Sequence, residues 1–401
     1  MPAVFQRFSA IQYYLAHARN SVHAIAEVDH AVSEDAFRSL VADIVAAAPQ
    51  LLWRESLKES GHFKATDVDW GAQCAFSTPT SGAEAASELH KTLSTPLHDT
   101  DRPAFRALCQ TLSGHQAPKA RIVIVTTHAL MEGGDVADLL RGRNSEHAAR
   151  PVTDAGLPLG ARLGALAISP LLWALNLAAA RFETKDRAAF GFAALRFDRA
   201  DLRRVARSLN MGQRDLAFAL VSYHRGQLPK PKAKLHAAYS SRPHARVRLC
   251  DDEVLSLRMD EITVAHAEGF PTFATRMRDA LTRRGPEPMF VQTWHRRLNQ
   301  IHRFLHPRVP WLYPKALFGF APYDVVLSLL PPVQTKSAAL DGAVIYAGSD
   351  TGTAESCIFA ACAQSFTVTL WSGAERAGHV AEIERTAQAM GIRVSRAWGR
   401  L

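Results

Sequence analysis

The run Ala120 to Thr127, "ARIVIVTT", constrains the fold more than any other stretch of the chain. Its β-branched residues follow one another without helical spacing, and the run is too short and too continuous for a surface helix. A strand that is apolar on both faces has to be covered on both sides, so a buried strand inside a layered sheet is expected here. Upstream, "SVHAIAEVD" suits another strand. It is followed by "SEDAFRSLVADIVAAAPQL", a helix with Ser33 as N-cap, Pro49 as stop, and Phe37, Leu40, Val41, Ile44 and Val45 on one face. Far downstream, "AFGFAALRF" reads as a strand and "DRADLRRVARSLN" as a helix capped by Asp198 and stopped at Asn210. Helix and strand signals then alternate through "QRDLAFALVSYH", "PTFATRMRDALTRR", "YDVVLSLL", "GAVIYAGS", "SFTVTLWS", "HVAEIERTAQAMG" and "IRVSRAW". This alternation, with no repeat of solenoid period, predicts an α/β protein. The pattern divides into an N-terminal unit over 1–145, a crossover over 146–188 and a C-terminal unit over 189–401.

A chain of 401 residues, 47% hydrophobic and 21% charged, is long enough for two cores. Lys and Arg outnumber Asp and Glu by 47 to 38, a formal charge of +9 that favours anionic partners such as phosphorylated cofactors, acidic carriers or lipid headgroups. Nucleic acid is not an expected partner, because no recognition helix and no aromatic-basic interleaving accompany the charge. The cysteines Cys74, Cys109, Cys250, Cys357 and Cys362 form no C-x-x-C pair, which argues against a zinc knuckle or a redox pair. The first residues lack the cationic and apolar regions of a signal peptide, so a cytoplasmic location is expected. The crossover holds Leu163 to Ala180, 18 residues without a charge, at the lower edge of membrane-spanning length. Ser169, Pro170 and Asn176 interrupt it and Arg162 and Arg181 flank it, which leaves a buried helix, a helix resting on a membrane or lining an acyl chain, and a true span as alternatives.

The strand 120–127 runs into "THALMEGGD", residues Thr127 to Asp135, on a strand-to-helix loop. His128 sits there without an adjacent nucleophile. A neutral imidazole near pH 7 can take a proton from a hydroxyl or amine. Glu132, four residues on, can brace the loop by pairing with an arginine, and Gly133 and Gly134 permit a tight turn. A polar turn of no catalytic consequence is the alternative. No G-x-S-x-G, P-loop or G-x-G-x-x-G accompanies it, which favours direct transfer over a covalent intermediate.

"THALMEGGD" resembles the H-H-x-x-x-D-G motif of the chloramphenicol-acetyltransferase-like, CoA-dependent acyltransferase superfamily, and in particular the bacterial wax ester synthase and diacylglycerol acyltransferase family. Other blocks match in order: "SEDAFRSLVADIVAAAPQLLWR", "LSTPLHDTDRPAFR", "RFDRADLRRVARSLNMGQRDLAFAL" and "LSLLPPVQTKSAALDGAVI". The resemblance implies two similar subdomains, each a mixed sheet packed with helices, joined by a crossover and enclosing an active-site tunnel. It implies an O-acyltransferase in which His128 is the general base, with Glu132 and Gly133 as loop supports, Asp215 as a supporting residue and Ser328 near the cleft, where its hydroxyl can stabilise a thioester oxyanion. It implies an acyl-CoA or acyl-carrier donor as co-substrate, an alcohol or amine acceptor, lipid metabolism, no tightly bound cofactor, no metal, and peripheral contact with a membrane or lipid-droplet surface.

The sequence also departs from the motifs. Thr127 replaces the first histidine, Glu132 replaces aspartate, Arg214 replaces asparagine beside Asp215, and Ala104-Phe105 replaces Leu-Trp. These departures motivate the competing expectation of a degenerate protein that binds an acyl ligand without turning it over. Elsewhere, His295, His302 and His306 in "WHRRLNQIHRFLHPR" share a helical face; His302 and His306 have the spacing of two zinc ligands, but no E-x-x-H or further carboxylate accompanies them, and the set reads as a solvated basic face. "GSDTGT" at Gly348 to Thr353 lacks a lysine and reads as a loop, and His17, His23 and His30 read as structural.

Overall fold

The computed structural model describes residues 5–7, 16, 21–59, 61–64, 68–95, 97, 101–112, 118–131, 190–224, 234–240, 259–267, 269–282, 324–330, 337–349, 355–373 and 378–400. The crossover segment, the histidines of "WHRRLNQIHRFLHPR", His17 and Cys250 lie outside them.

Three sheets form among these residues. The smallest pairs β1 (Phe5–Arg7), β4 (Gly61–Lys64) and β3 (Trp53–Ser56) in that order. A five-stranded sheet is built from β2 (Ser21–Val28), β5 (Cys74–Ser77), β6 (Phe105–Thr111), β7 (Ala120–Thr127) and β12 (Val344–Ser349), in the order β12-β2-β7-β6-β5. A seven-stranded sheet contains β8 (Phe190–Asp198), β9 (Lys234–Ser240), β10 (Met259–Ala265), β11 (Val325–Leu329), β13 (Glu355–Ala361), β14 (Ser365–Gly373) and β15 (Val394–Arg400), ordered β10-β9-β11-β13-β14-β8-β15. The helices are α1 (Glu34–Ala47), the single turn α2 (Trp70–Gln73), α3 (Gly82–Ser94), α4 (Arg199–Ser208), α5 (Gln213–Tyr223), α6 (Phe270–Thr282) and α7 (His379–Ala389).

The expected strand 120–127 is β7, buried along its whole length between β2 and β6. Alternation sends its side chains to two cores. Ile122 and Ile124 join Val22, Ala24 and the buried face of α1 in one apolar cluster, whereas Val123 and Val125 join Ile25, Leu89, Phe192, Trp371 and Trp398 in another. The second cluster draws on both large sheets and is the seam between them. A third cluster fills the opposite face of the seven-stranded sheet under α4, α5, α6 and α7. The capping signals act as expected. Ser33 Oγ accepts from Ala36 N–H at 3.2 Å, Asp198 Oδ1 accepts from Asp201 N–H at 2.9 Å, and Asn210 ends its helix at a φ of 52°.

One polar row crosses the seam face of the five-stranded sheet. Glu27, Arg121, Gln110 and Ser77 are register partners on four adjacent strands. Arg121 donates to Glu27 from Nε at 3.0 Å and Nη2 at 2.7 Å, and from Nη1 to Gln110 at 3.3 Å. Gln110 Nε2 then donates to Glu88 of α3 at 2.9 Å, which also accepts from Ser77 Oγ at 2.7 Å.

β12 comes from the C-terminal part of the chain yet forms the edge of the N-terminal sheet. Its outward backbone groups are met by side chains of the other large sheet and the turn beside it, in place of a further strand. Thr367 Oγ1 donates to the Ile345 carbonyl at 2.6 Å, Ile345 N–H donates to Cys362 Sγ at 3.3 Å, and Ser356 Oγ donates to the Ser349 carbonyl at 2.8 Å. These contacts leave no free edge to nucleate pairing along this part of the strand. Gly348 and Ser349 end β12, within the strand signal "GAVIYAGS", and the rest of "GSDTGT", 350–353, lies outside the described residues. Gly348 lies close against the His23 ring. A Cβ there would stand 2.1 Å from His23 Nε2 and 2.7 Å from Trp371 Nε1. Gly348→Ala should therefore cost about 1–3 kcal/mol by overpacking, read from the urea midpoint, and a second change His23→Ala should recover most of the loss.

Candidate active site

The site grows out of the end of β7. The Thr127 carbonyl accepts from Leu130 N–H at 3.1 Å and Met131 N–H at 3.3 Å, so the strand closes into a tight turn with His128 as its first residue. Ala104 fastens β7 to β3. Its N–H donates to the Trp53 carbonyl at 2.8 Å, and its carbonyl accepts from Thr127 N–H at 3.3 Å and Thr126 Oγ1 at 3.0 Å. Gln73 of α2 holds the same segment by donating to the Pro103 and Phe105 carbonyls at 3.1 and 3.4 Å. The small Ala104, where the related motif has leucine, is fully buried at this crossing.

Thr127 is fully buried and its hydroxyl is used twice. It donates to Glu55 Oε1 at 2.9 Å and accepts from Ala129 N–H at 3.3 Å. His128 therefore stands between two anchored peptide groups. The residue is half-buried, and its Nδ1 is shielded from solvent with no hydrogen-bond partner among the described residues. Burial pushes the imidazole below the usual histidine range, against a smaller opposing effect from the backbone of His128 and Met131. A neutral imidazole with an uncommitted nitrogen is chemically fit to accept a proton. Leu130 and Met131 belong to the same extended apolar cluster as Leu330 and Cys362, with Ile358 packed against it, a cluster that also takes in α1 and strands of the five-stranded sheet.

Ser328 lies on β11 opposite Ile358, two residues before Leu330, on the strand face away from Val325 and Leu327 and the helices they pack under. That places its strand end and the His128 turn around one apolar cluster. Asp215 is not brought to this place. It is buried in the first turn of α5, at the core on the opposite face of the seven-stranded sheet, where Arg214 Nε donates to it at 2.8 Å. Arg214 thus occupies the asparagine position of the motif as an ion-pair partner. Glu132, Gly133 and Gly134 lie outside the described residues. Arg54, which ends the early helix block, pairs with Asp101 at 2.9 Å and lies over the Phe63 ring. His30 is beside Asp29 at a loop, away from the His128 turn. Among the described residues no group of three or more His, Cys, Asp or Glu could hold a metal ion, and no helix is long and apolar enough to cross a membrane.

One residue escaped the sequence reading. Glu55 follows Arg54 in "LLWRES"; strand alternation puts the two on opposite faces, so one of two adjacent charges had to turn inward, and that was the available signal. His23, expected to be structural, is buried. It lies two residues from Ser21, the register partner of Thr127, with its ring centroid 5.2 Å from that of Trp371. Among the described residues neither His23 nitrogen nor Trp371 Nε1 has a hydrogen-bond partner, and burial pushes the His23 pKa down to about 3. The unfolded chain takes up that proton near 6.5 and the folded chain only near 3, so His23 leaves stability intact above 6.5 and erodes it as pH falls through that window. The slope should be roughly 1 kcal/mol per pH unit. Urea melts of wild type and His23→Leu between neutral pH and 4 should show the variant flatter by that amount; parallel curves would refute the assignment.

No family model matches the sequence, and no curated protein matches it. Solved structures do. The first condensation domain of the CDA synthetase matches with a TM-score of 0.57 at 15% identity, over 96% of this chain and 95% of that one. The wax ester synthase/diacylglycerol acyltransferase from Marinobacter aquaeolei VT8 matches with a TM-score of 0.56 at 15% identity, over 93% and 95%. The condensation domain from the monacolin K polyketide synthase MokA matches with a TM-score of 0.53 at 9% identity, over 96% of both chains. The chain therefore has the two-subdomain, mixed α/β fold that these condensation domains and the wax ester synthase share.

Proposed function

We propose that the protein is an acyltransferase that moves an acyl group from a thioester donor, acyl-CoA or an acyl carrier, to an alcohol or amine, with His128 as general base. The observation that carries this reading is the neutral His128 ring, its Nδ1 shielded and without a partner among the described residues, on a turn anchored from both sides. The acceptor gives its proton to the imidazole as its oxygen or nitrogen attacks the thioester carbonyl. The imidazolium then returns the proton to the departing thiolate as the tetrahedral intermediate collapses, so no covalent enzyme intermediate forms. Ser328 is the candidate donor to the oxyanion. Glu132 and Gly133 brace the loop after His128, and Asp215 supports the fold at a distance. The motif order favours a lipid alcohol as acceptor, as in a wax ester synthase, with peripheral contact at a membrane or lipid-droplet surface. Residues 1–145 and 189–401 form the two acyltransferase units and 146–188 the crossover.

Thr127 and Arg214 at motif positions favour a second reading, a protein that binds acyl ligands without turnover. One experiment separates the two. Free thiol release is followed with acetyl-, octanoyl- and palmitoyl-CoA, each with a long-chain alcohol or a primary amine. Acceptor-dependent release supports the enzyme; tight acyl-CoA binding without release supports the binder.

A further inference from the structure

We propose that Glu55 is a positioning residue of this site, acting through Thr127 to hold the turn on which His128 stands. The inference rests on the reading of His128 as the base. Glu55 is 1% exposed, and a carboxylate is costly to bury unless it is hydrogen-bonded. It meets Thr127 Oγ1 at 2.9 Å across a sequence separation of 72 residues. An ionised carboxylate only accepts, so the single hydroxyl proton of Thr127 is committed to Glu55. The lone pairs of that hydroxyl are thereby left for Ala129 N–H, the amide that follows His128. The amide that precedes His128 by one residue, Thr127 N–H, is fixed by the Ala104 carbonyl, and Ala104 N–H is fixed by Trp53, two residues before Glu55 on the same strand. The carboxylate, the hydroxyl and the two peptide groups close one circuit around His128. A threonine at the position of the motif's first histidine is then a working part of the turn, matched by a glutamate long enough to reach it.

The test compares Thr127→Val and Glu55→Leu, which open the circuit, with Thr127→Ser and Glu55→Gln, which keep a donor and an acceptor. Glu55→Asp withdraws the carboxylate by one methylene while leaving the charge, and serves if the first pair fails to fold. Two readouts are used on the full chain: kcat and KM for thiol release from octanoyl-CoA, and the NMR titration of the His128 ring, which needs no substrate. The circuit-opening variants should lower kcat by about 10–100-fold with KM changed less than twofold, as expected for a misplaced base. They should also move the His128 titration midpoint, and the double variant Thr127→Val/Glu55→Leu should be no worse than either single. Thr127→Ser and Glu55→Gln should restore both readouts. Folded Thr127→Val, Glu55→Leu or Glu55→Asp proteins with the wild-type titration curve would overturn the proposal. If wild type releases no thiol from any donor, the acyltransferase reading fails, and the NMR titration alone decides the role of Glu55.

Discussion

His128→Ala should lower acceptor-dependent thiol release by about 10²–10⁴-fold, the usual contribution of general-base catalysis, while leaving the urea midpoint within about 1 kcal/mol of wild type. The two halves of this expectation come from the same geometry. The turn is held by the Thr127 carbonyl, the Thr127 hydroxyl and the Ala104 carbonyl, none of which involves the imidazole. Removal of the ring breaks no hydrogen bond at Nδ1 among the described residues. The loss should therefore appear in kcat and not in folding. The pH dependence has a defined sign: a general base must be deprotonated, and burial holds His128 below its ordinary 6.5. Wild-type kcat/KM should stay level from neutral pH to below 6.5 and fall only in more acidic buffer. Full turnover by His128→Ala with any donor would remove His128 from the chemistry.

Arg121→Met should destabilise the fold by about 3–5 kcal/mol, the usual cost of leaving one member of a buried ion pair behind. Arg121 and Glu27 are 8% and 7% exposed, and the guanidinium reaches the carboxylate through two nitrogens. The arginine also holds Gln110, through which the row continues to Glu88 on α3. Its loss leaves Glu27 beside the buried Tyr346, whose hydroxyl the low-polarity setting and the Glu27 charge already push far above its ordinary range. Removing both charges should hurt less than removing one, because the two desolvation costs disappear together. Glu27→Leu/Arg121→Met should thus melt later in urea than Arg121→Met alone; additive losses would show that the pair is a net source of stability.

Local chemistry made the cores of individual elements legible. The continuous apolar run gave β7, and the Ser33 and Asp198 caps set where α1 and α4 begin. What stayed hidden depends on partners far away in sequence. "ESCIFAA" became β13 only by pairing in parallel with β11 and antiparallel with β14, and nothing local marks that place. "KLHAAYS" and "MDEITVA" carry only a short apolar alternation, Leu235, Ala237 and Tyr239 in one and Ile262 and Val264 in the other, and pairing with each other and of the first with β11 is what fixes them as strands. The candidate site divides in the same way. His128 was legible as a histidine at the end of a buried strand, whereas Glu55 could be assigned only when β3 was laid beside β7 through Ala104. His23 looked like any strand histidine until Gly348 of β12 was placed against it.

The pairing of β12 with β2 also sets the order in which this chain can fold. Ala347 sits opposite Ala24 and Tyr346 opposite Ile25, so the N-terminal sheet is closed by residues far downstream in sequence. So long a loop closure makes this a slow contact. Until Val344–Ser349 leaves the ribosome, β2 presents an unpaired edge directly beside the strand that carries Thr127. A nascent or truncated chain is most exposed to mispairing along that edge.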